Sequence, residues 1–394
     1  MMPLMLDKLR ADTPGCRHVT HFNNAGAALQ PRTVSERVIR YLTRESDIGG
    51  YEAQAEAHEE IESTYQAIAQ LIGASSDEIA LFENATQAWD MAFYGIPFQQ
   101  GDRILTAHAE YASNFIAYLQ MAKKQGVHIE AIPNDAYGQA DVHALRNMLD
   151  DRVRLISITH VPTHNGLVNP AVAIGQIARE AQCLYLLNAC QSVGQMPINV
   201  QEIGCHFLSA TGRKYLRGPR GTGFLYASNT TLTEVEPPFL DLHSATWTAA
   251  HHFTIRSDAR RFENWESNIA SKLGLGVAVR YALEIGLDTI WQRVSMLAER
   301  LRVHLSDVAG VTLHDVGAVR CGIVTFTVNG KTAQTVKDSL TRQAINTSVS
   351  IADYARLDME QRGLTSVIRA SVHYYNTEEE LLKLVSAVAD ECRN

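Results

Sequence analysis

One lysine carries the most distinctive chemistry in this sequence. In LSATGRKYLRGPRGTGFLY (208–226), Lys214 follows Gly212-Arg213 and precedes a loop holding Arg217, Gly218, Pro219, Arg220, Gly221 and Gly223. An amine withdrawn from water gives up its proton readily and forms a Schiff base with an aldehyde. Glycines open backbone conformations closed to other residues, while Thr211, Arg213 and nearby N–H groups have the chemistry to hold a phosphate. The G-x-x-x-x-G-K-[ST] spacing of a P-loop is absent. Taken alone, the stretch reads equally well as a basic surface loop.

Other polar residues stand where apolar ones are expected. LLNACQSVGQ (186–195) places Asn188 at the end of an apolar run, with Gln191 three positions on. Arg369 lies between Ile368 and Ala370, and burying it without a partner would be costly. His160, His164 and Asn165 share a loop, and His164 is a candidate to face a substrate. The pair His251-His252 has no matching carboxylate or cysteine spacing, so no metal is expected.

The elements that must position these groups follow from hydrophobic patterning. Strand-like runs at 102–107, 128–133, 153–161 and 183–189 alternate with helical stretches at 115–126, 141–151 and 171–182. Strands that are apolar throughout and alternate with helices predict an α/β fold with a mainly parallel central sheet, covered on both faces. Ligands on such sheets collect at the carboxyl ends of the strands, which is where Asn188 falls. From about residue 273 a long helical run leads into an α+β pattern. We therefore expect a large domain over 18–270 and a smaller C-terminal one over 271–394, joined by residues 1–17.

Composition narrows the partners. The 394 residues are 46% hydrophobic and 20% charged, with a formal net charge of −8, which gives no electrostatic reason to expect nucleic acid or a membrane surface. No apolar run is long enough to span a bilayer, and the N-terminus lacks a signal-peptide core. The six cysteines are scattered, as expected of reduced thiols in the cytoplasm.

The lysine segment resembles the signature of pyridoxal 5'-phosphate (PLP) enzymes of fold type I, in the class V aminotransferase group. FNNAGAALQP (22–31), ENATQAWDMAF (83–93), HAEYASNF (108–115), THVPTHNGLVNP (159–170), NACQSVGQ (188–195) and VIRASVHYYNTEEE (367–380) fall in that family's order. The versions seen here are most similar to the branch of isopenicillin N epimerase-like proteins and lyases of cysteine conjugates, including hercynylcysteine sulfoxide-type C–S lyases. The resemblance implies that Lys214 holds the cofactor and then shuttles the substrate Cα proton. It places the cofactor phosphate against Ala85, Thr86, Thr211 and Arg213, and the ring under Tyr111, where many relatives have histidine. Gln191 would meet the phenolic oxygen and Asn188 the ring nitrogen. Relatives usually have aspartate at position 188; an amide supplies no charge to keep the ring protonated, so the electron sink should be weaker. Arg369 would grip the carboxylate of an amino-acid substrate, with Asn24 as a second contact; His164, unusual for the family at its position, is expected to face the substrate.

The same resemblance bears on the reaction and the assembly. Cysteine desulfurases carry a nucleophilic cysteine shortly before the carboxylate-binding arginine, but residues 346–369 contain none. The expected activity is β-elimination from an S-substituted cysteine (thioether or sulfoxide), which suits a weak sink because the sulfur leaving group relieves the carbanion. An aminotransferase, an epimerase, a desulfurase-like enzyme lacking the usual cysteine, and an inactive PLP-binding homologue are the alternatives. Family members are homodimers, and a homodimer is expected. The partner's segment resembling RRFENWESN (260–268) would reach the phosphate, but with Glu266 where a threonine is usual.

Overall fold

The computed structural model describes residues 5–393. Residues 1–4 and 394, assigned from sequence to the smaller domain, lie outside the described residues. In chain order the strands are β1 (Thr20–His21), β2 (Ile79–Phe82), β3 (Arg103–Ala107), β4 (His128–Ile132), β5 (Val153–Thr159), β6 (Leu184–Asn188), β7 (Phe207–Thr211), β8 (Gly223–Ala227), β9 (Ala245–Ala249), β10 (His252–Ile255), β11 (Val311–Leu313), β12 (Ile323–Val328), β13 (Ile345–Asn346), β14 (Ser348–Ile351) and β15 (Ser366–Ser371).

Seven strands form the central sheet in the order β2-β8-β7-β6-β5-β3-β4. Only β8 runs antiparallel to its neighbours β2 and β7; the other pairings are parallel. This is the mainly parallel α/β sheet that the alternating pattern predicts. Strand β6 shows why the pattern was legible: Leu186 and Leu187 point to opposite faces, and both are fully buried. Burial of each contributes roughly 2 kcal/mol. The intervening helices are bounded by identifiable signals. Asp141 accepts the N–H groups of His143 and Ala144 at 2.7 and 3.2 Å, capping Val142–Met148, and Ala112–Gln125 ends where Gly126 takes φ 71°.

The long helical run after residue 268 is two helices rather than one. Ile269–Ile285 and Leu287–Ser306 are separated by Gly286 at φ 89°, a left-handed backbone that breaks the hydrogen-bond ladder. The first packs on helices Arg32–Ile48 and His58–Ile72. Beyond them β11-β12-β15-β14 make an antiparallel sheet. Residues 347–365, to which sequence patterning assigned no element, supply β14 and the helix Arg356–Gln361.

The N-terminal Asn-Asn-Ala-Gly turn stitches the two sheets together. Strand β1 pairs with β13, Ser371 donates its N–H to Phe22 at 2.7 Å, and Asn24 donates to the Ser371 carbonyl at 2.7 Å. The end of β15 is thereby drawn toward the carboxyl edge of the central sheet. No helix among the described residues is long and apolar enough to cross a membrane.

Candidate active site

Parallel strands end on one edge, so β5, β6 and β7 deliver Thr159, Asn188 and Thr211 to the rim of a single cavity of about 400 Å³. Lys214 enters it three residues after β7, and Gln191 three residues after β6. Ala85, Thr86, Tyr111 and Arg213 also line it. The eight residues assigned from sequence to the cofactor therefore share one wall-to-wall space.

The lysine loop is held by its neighbours rather than by ion pairs. Ala28 donates to the Arg213 carbonyl at 2.9 Å, Gly218 to Gly212 at 2.7 Å, and Arg217 to Lys214 at 2.9 Å. Arg217, 1% exposed, sits at φ 61° and donates to the Leu29 carbonyl at 2.7 Å and the Tyr374 hydroxyl at 2.6 Å. Its guanidinium lies 4.5 Å from the Tyr375 ring centroid, so aromatic faces take the place of a carboxylate. Sequence reading left Arg217 in a basic loop; its left-handed backbone and aromatic box are not signalled by local composition. Burial lowers the Lys214 amine to about 8, and the charges of Arg213 and Arg369 act in the same direction.

Helix Ala85–Gly95 also begins at the cavity. Asn84 caps it by accepting the Gln87 N–H at 2.9 Å, and the N–H groups of its first turn have no helical acceptors. A side chain at Gly223 would meet the Ala85 nitrogen at 2.8 Å, so glycine there lets the helix start lie against β8. Arg213, Arg220 and Gly221 line the same cavity. Such an N-terminus with two arginines is a ready anion site.

Tyr111 caps the next helix and is 37% exposed, with its N–H donated to Glu110 at 2.8 Å. Glu110 was missed from sequence. Its buried carboxylate also accepts from Thr106 at 3.1 Å, Asn114 at 2.8 Å, and both the N–H and the hydroxyl of Thr159. It thus fixes three lining residues, Tyr111, Asn114 and Thr159; the available signal was a carboxylate just after an apolar strand.

The three residues assigned to the substrate behave differently. Arg369, 8% exposed, has neutral partners only: the Ser348 hydroxyl at 3.0 Å, the Thr163 carbonyl at 3.2 Å, the Thr163 hydroxyl, and the Asn23 Oδ1 at 3.4 Å. Thr163 itself lines the cavity. Asn24 has no free polar atom for a substrate: its Nδ2 is held by Ser371 and its Oδ1 accepts the Tyr375 hydroxyl. Its neighbour Asn23 is the one that meets Arg369. His164 is also redirected. It is 1% exposed, and its Nε2 lies 2.7 Å from Asp358, away from the cavity lining. One cysteine, Cys190, lines the cavity, and burial raises its thiol despite Lys214 and Arg213. Glu266 lies in an adjoining groove with Glu83.

Comparison with known proteins accords with this geometry. The family described as Aminotransferase class-V matches residues 20–384. The chain belongs to the class V aminotransferase family. A curated relative, a probable cysteine desulfurase of Methanothermobacter thermautotrophicus, is 28% identical over 97% of this chain and 96% of its own. Among solved structures, the apo cysteine desulfurase from Thermococcus onnurineus NA1 superposes with a TM-score of 0.93 at 25% identity, covering 100% and 99% of the two chains. The cystine C–S lyase C-DES, in complex with its reaction product cysteine persulfide, gives 0.87 at 25% identity over 96% and 99%. Another structure of C-DES carries glycine covalently linked to the PLP cofactor.

As a class V enzyme the chain is PLP-dependent, and its cavity fits that cofactor. Lys214 has no ion-pair partner among the described residues, Gln191 leaves a buried Oε1 without a donor, and the helix start faces the same space.

Proposed function

We propose that this class V enzyme is a C–S lyase that carries out β-elimination on an S-substituted cysteine, giving a sulfur product, pyruvate and ammonia. The observation that carries this reading is the position of the cysteines. Residues 346–369, which lead into Arg369, have none, and Cys190 at the cavity is held as a thiol by burial. A persulfide relay needs a thiolate there; elimination needs only a base and a leaving group.

The geometry of the cavity supports the following roles. Ala85, Thr86, Thr211 and Arg213 bind the cofactor phosphate, and Tyr111 covers the ring face. Arg369, with Asn23, takes the substrate carboxylate in a bidentate grip. The bound cofactor supplies delocalisation for the electron pair left at Cα. Lys214, whose amine burial brings down to about 8, removes the Cα proton in its neutral form. The Cβ–S bond breaks, the sulfur group leaves with its bonding electron pair and takes up a proton, and the released enamine hydrolyses to pyruvate and ammonia.

The relatives' names favour a second reading, desulfuration of cysteine. The products separate the two, because desulfuration leaves alanine and elimination leaves pyruvate. Transamination and racemisation would give neither.

For the assembly we propose a cytoplasmic homodimer of chains divided at residues 270/271. Support comes from the hairpin β9–β10, where Trp247 pairs across with Phe253 and both are exposed; Leu242 and Trp265 are exposed as well. Apolar surface of this kind marks a protein interface.

A further inference from the structure

Two amides at the cavity, Asn188 and Gln191, have their orientations fixed by groups that can hydrogen-bond in only one sense. The Cys190 backbone N–H can only donate, and it meets Asn188 at 3.1 Å, so the atom facing it is the carbonyl Oδ1. Asn188 is buried at the end of β6, and its Nδ2 donates to no protein group among the described residues. The Ala25 carbonyl can only accept, and it meets Gln191 at 3.1 Å, so the facing atom is Nε2. Thr163 shares that Nε2 at 3.3 Å, leaving Oε1 buried without a donor. Of these two amides, Asn188 therefore offers a ligand a donor and Gln191 an acceptor.

Resting on the PLP reading above, we propose that the site selects the cofactor with its ring nitrogen unprotonated and its phenol protonated. Asn188 donates to the nitrogen lone pair, and Gln191 accepts the phenolic O–H. The two states support each other, since a neutral ring holds the phenolic proton more tightly. Aspartate at position 188 would behave in the opposite way. One of its oxygens would still accept the Cys190 N–H, while the other could only accept from a protonated nitrogen, and its charge would favour that proton.

The test is nitrogen NMR of the full-length protein reconstituted with PLP isotopically labelled at the ring nitrogen, with absorption spectra recorded alongside. The expected result is the resonance of an unprotonated pyridine and a near-ultraviolet band stronger than the violet one. Asn188→Asp should move the resonance to the protonated position. A protonated ring nitrogen in the unaltered protein would overturn this proposal and leave the PLP reading intact. Failure of the labelled cofactor to bind would overturn both.

Discussion

Arg369 donates to both the carbonyl and the hydroxyl of Thr163, fixing a guanidinium from β15 against the loop that follows β5. None of its partners is charged. Burial lowers its affinity for the proton only to about 10, so the charge persists at neutral pH and is left for an anion. Replacing it by alanine should cost about 3 kcal/mol of substrate binding, on the order of a 100-fold fall in kcat/KM. Lysine should rescue little, because it lacks the planar fork. Steady-state kinetics on both variants checks this; an unchanged KM would remove Arg369 from the substrate site.

Lys214 should make cofactor loading pH-dependent in a specific way. Only the neutral amine attacks an aldehyde, and at about 8 its titration lies well below that of an ordinary lysine. The rate of PLP uptake by the apoprotein should rise with pH up to about 8 and level off above it. Stopped-flow absorbance reads this directly. A rate still climbing toward pH ~10, the ordinary lysine value, would contradict the buried setting. Lys214→Ala should abolish both the covalent absorbance and turnover.

Asp358 is a stability prediction. Burial raises its carboxyl, but His164 and Arg362 outweigh burial, and it lies below the ordinary range. A group depressed in the fold stabilises above its unfolded pKa, ~4, and loses that contribution as pH falls through the lower folded value. Asp358→Ala should therefore destabilise by about 3–5 kcal/mol at neutral pH, with the deficit shrinking in acid. Urea denaturation at two pH values measures it; a deficit independent of pH would show that packing alone is lost.

These residues mark where sequence was informative and where it was not. The parallel sheet was legible because strand periodicity is local; the residues around Lys214 were named by the family resemblance, and the shared carboxyl edge of parallel strands is what brings several of them together. Asn24 and His164 were misplaced because their partners, Tyr375 and Asp358, lie more than 190 residues away. Glu110 escaped notice for a different reason: three of its donors lie within four residues, but the strand β5 that brings Thr159 to it is joined only in the folded sheet. Gly286 was present in the sequence, but a single glycine inside an apolar helical pattern does not announce a break.

The β9–β10 face should be covered in solution. Sedimentation at micromolar concentration should show a dimer, and Trp247→Glu combined with Phe253→Glu should give a monomer. A monomeric unaltered protein would refute the assembly.

The most direct test of the lyase reading is product analysis with PLP-loaded protein and a panel of cysteine thioethers and sulfoxides, with free cysteine in parallel. The account predicts stoichiometric pyruvate and ammonia from at least one conjugate, and no alanine from cysteine. Alanine from cysteine, or no pyruvate from any conjugate despite cofactor covalently bound at Lys214, would contradict it.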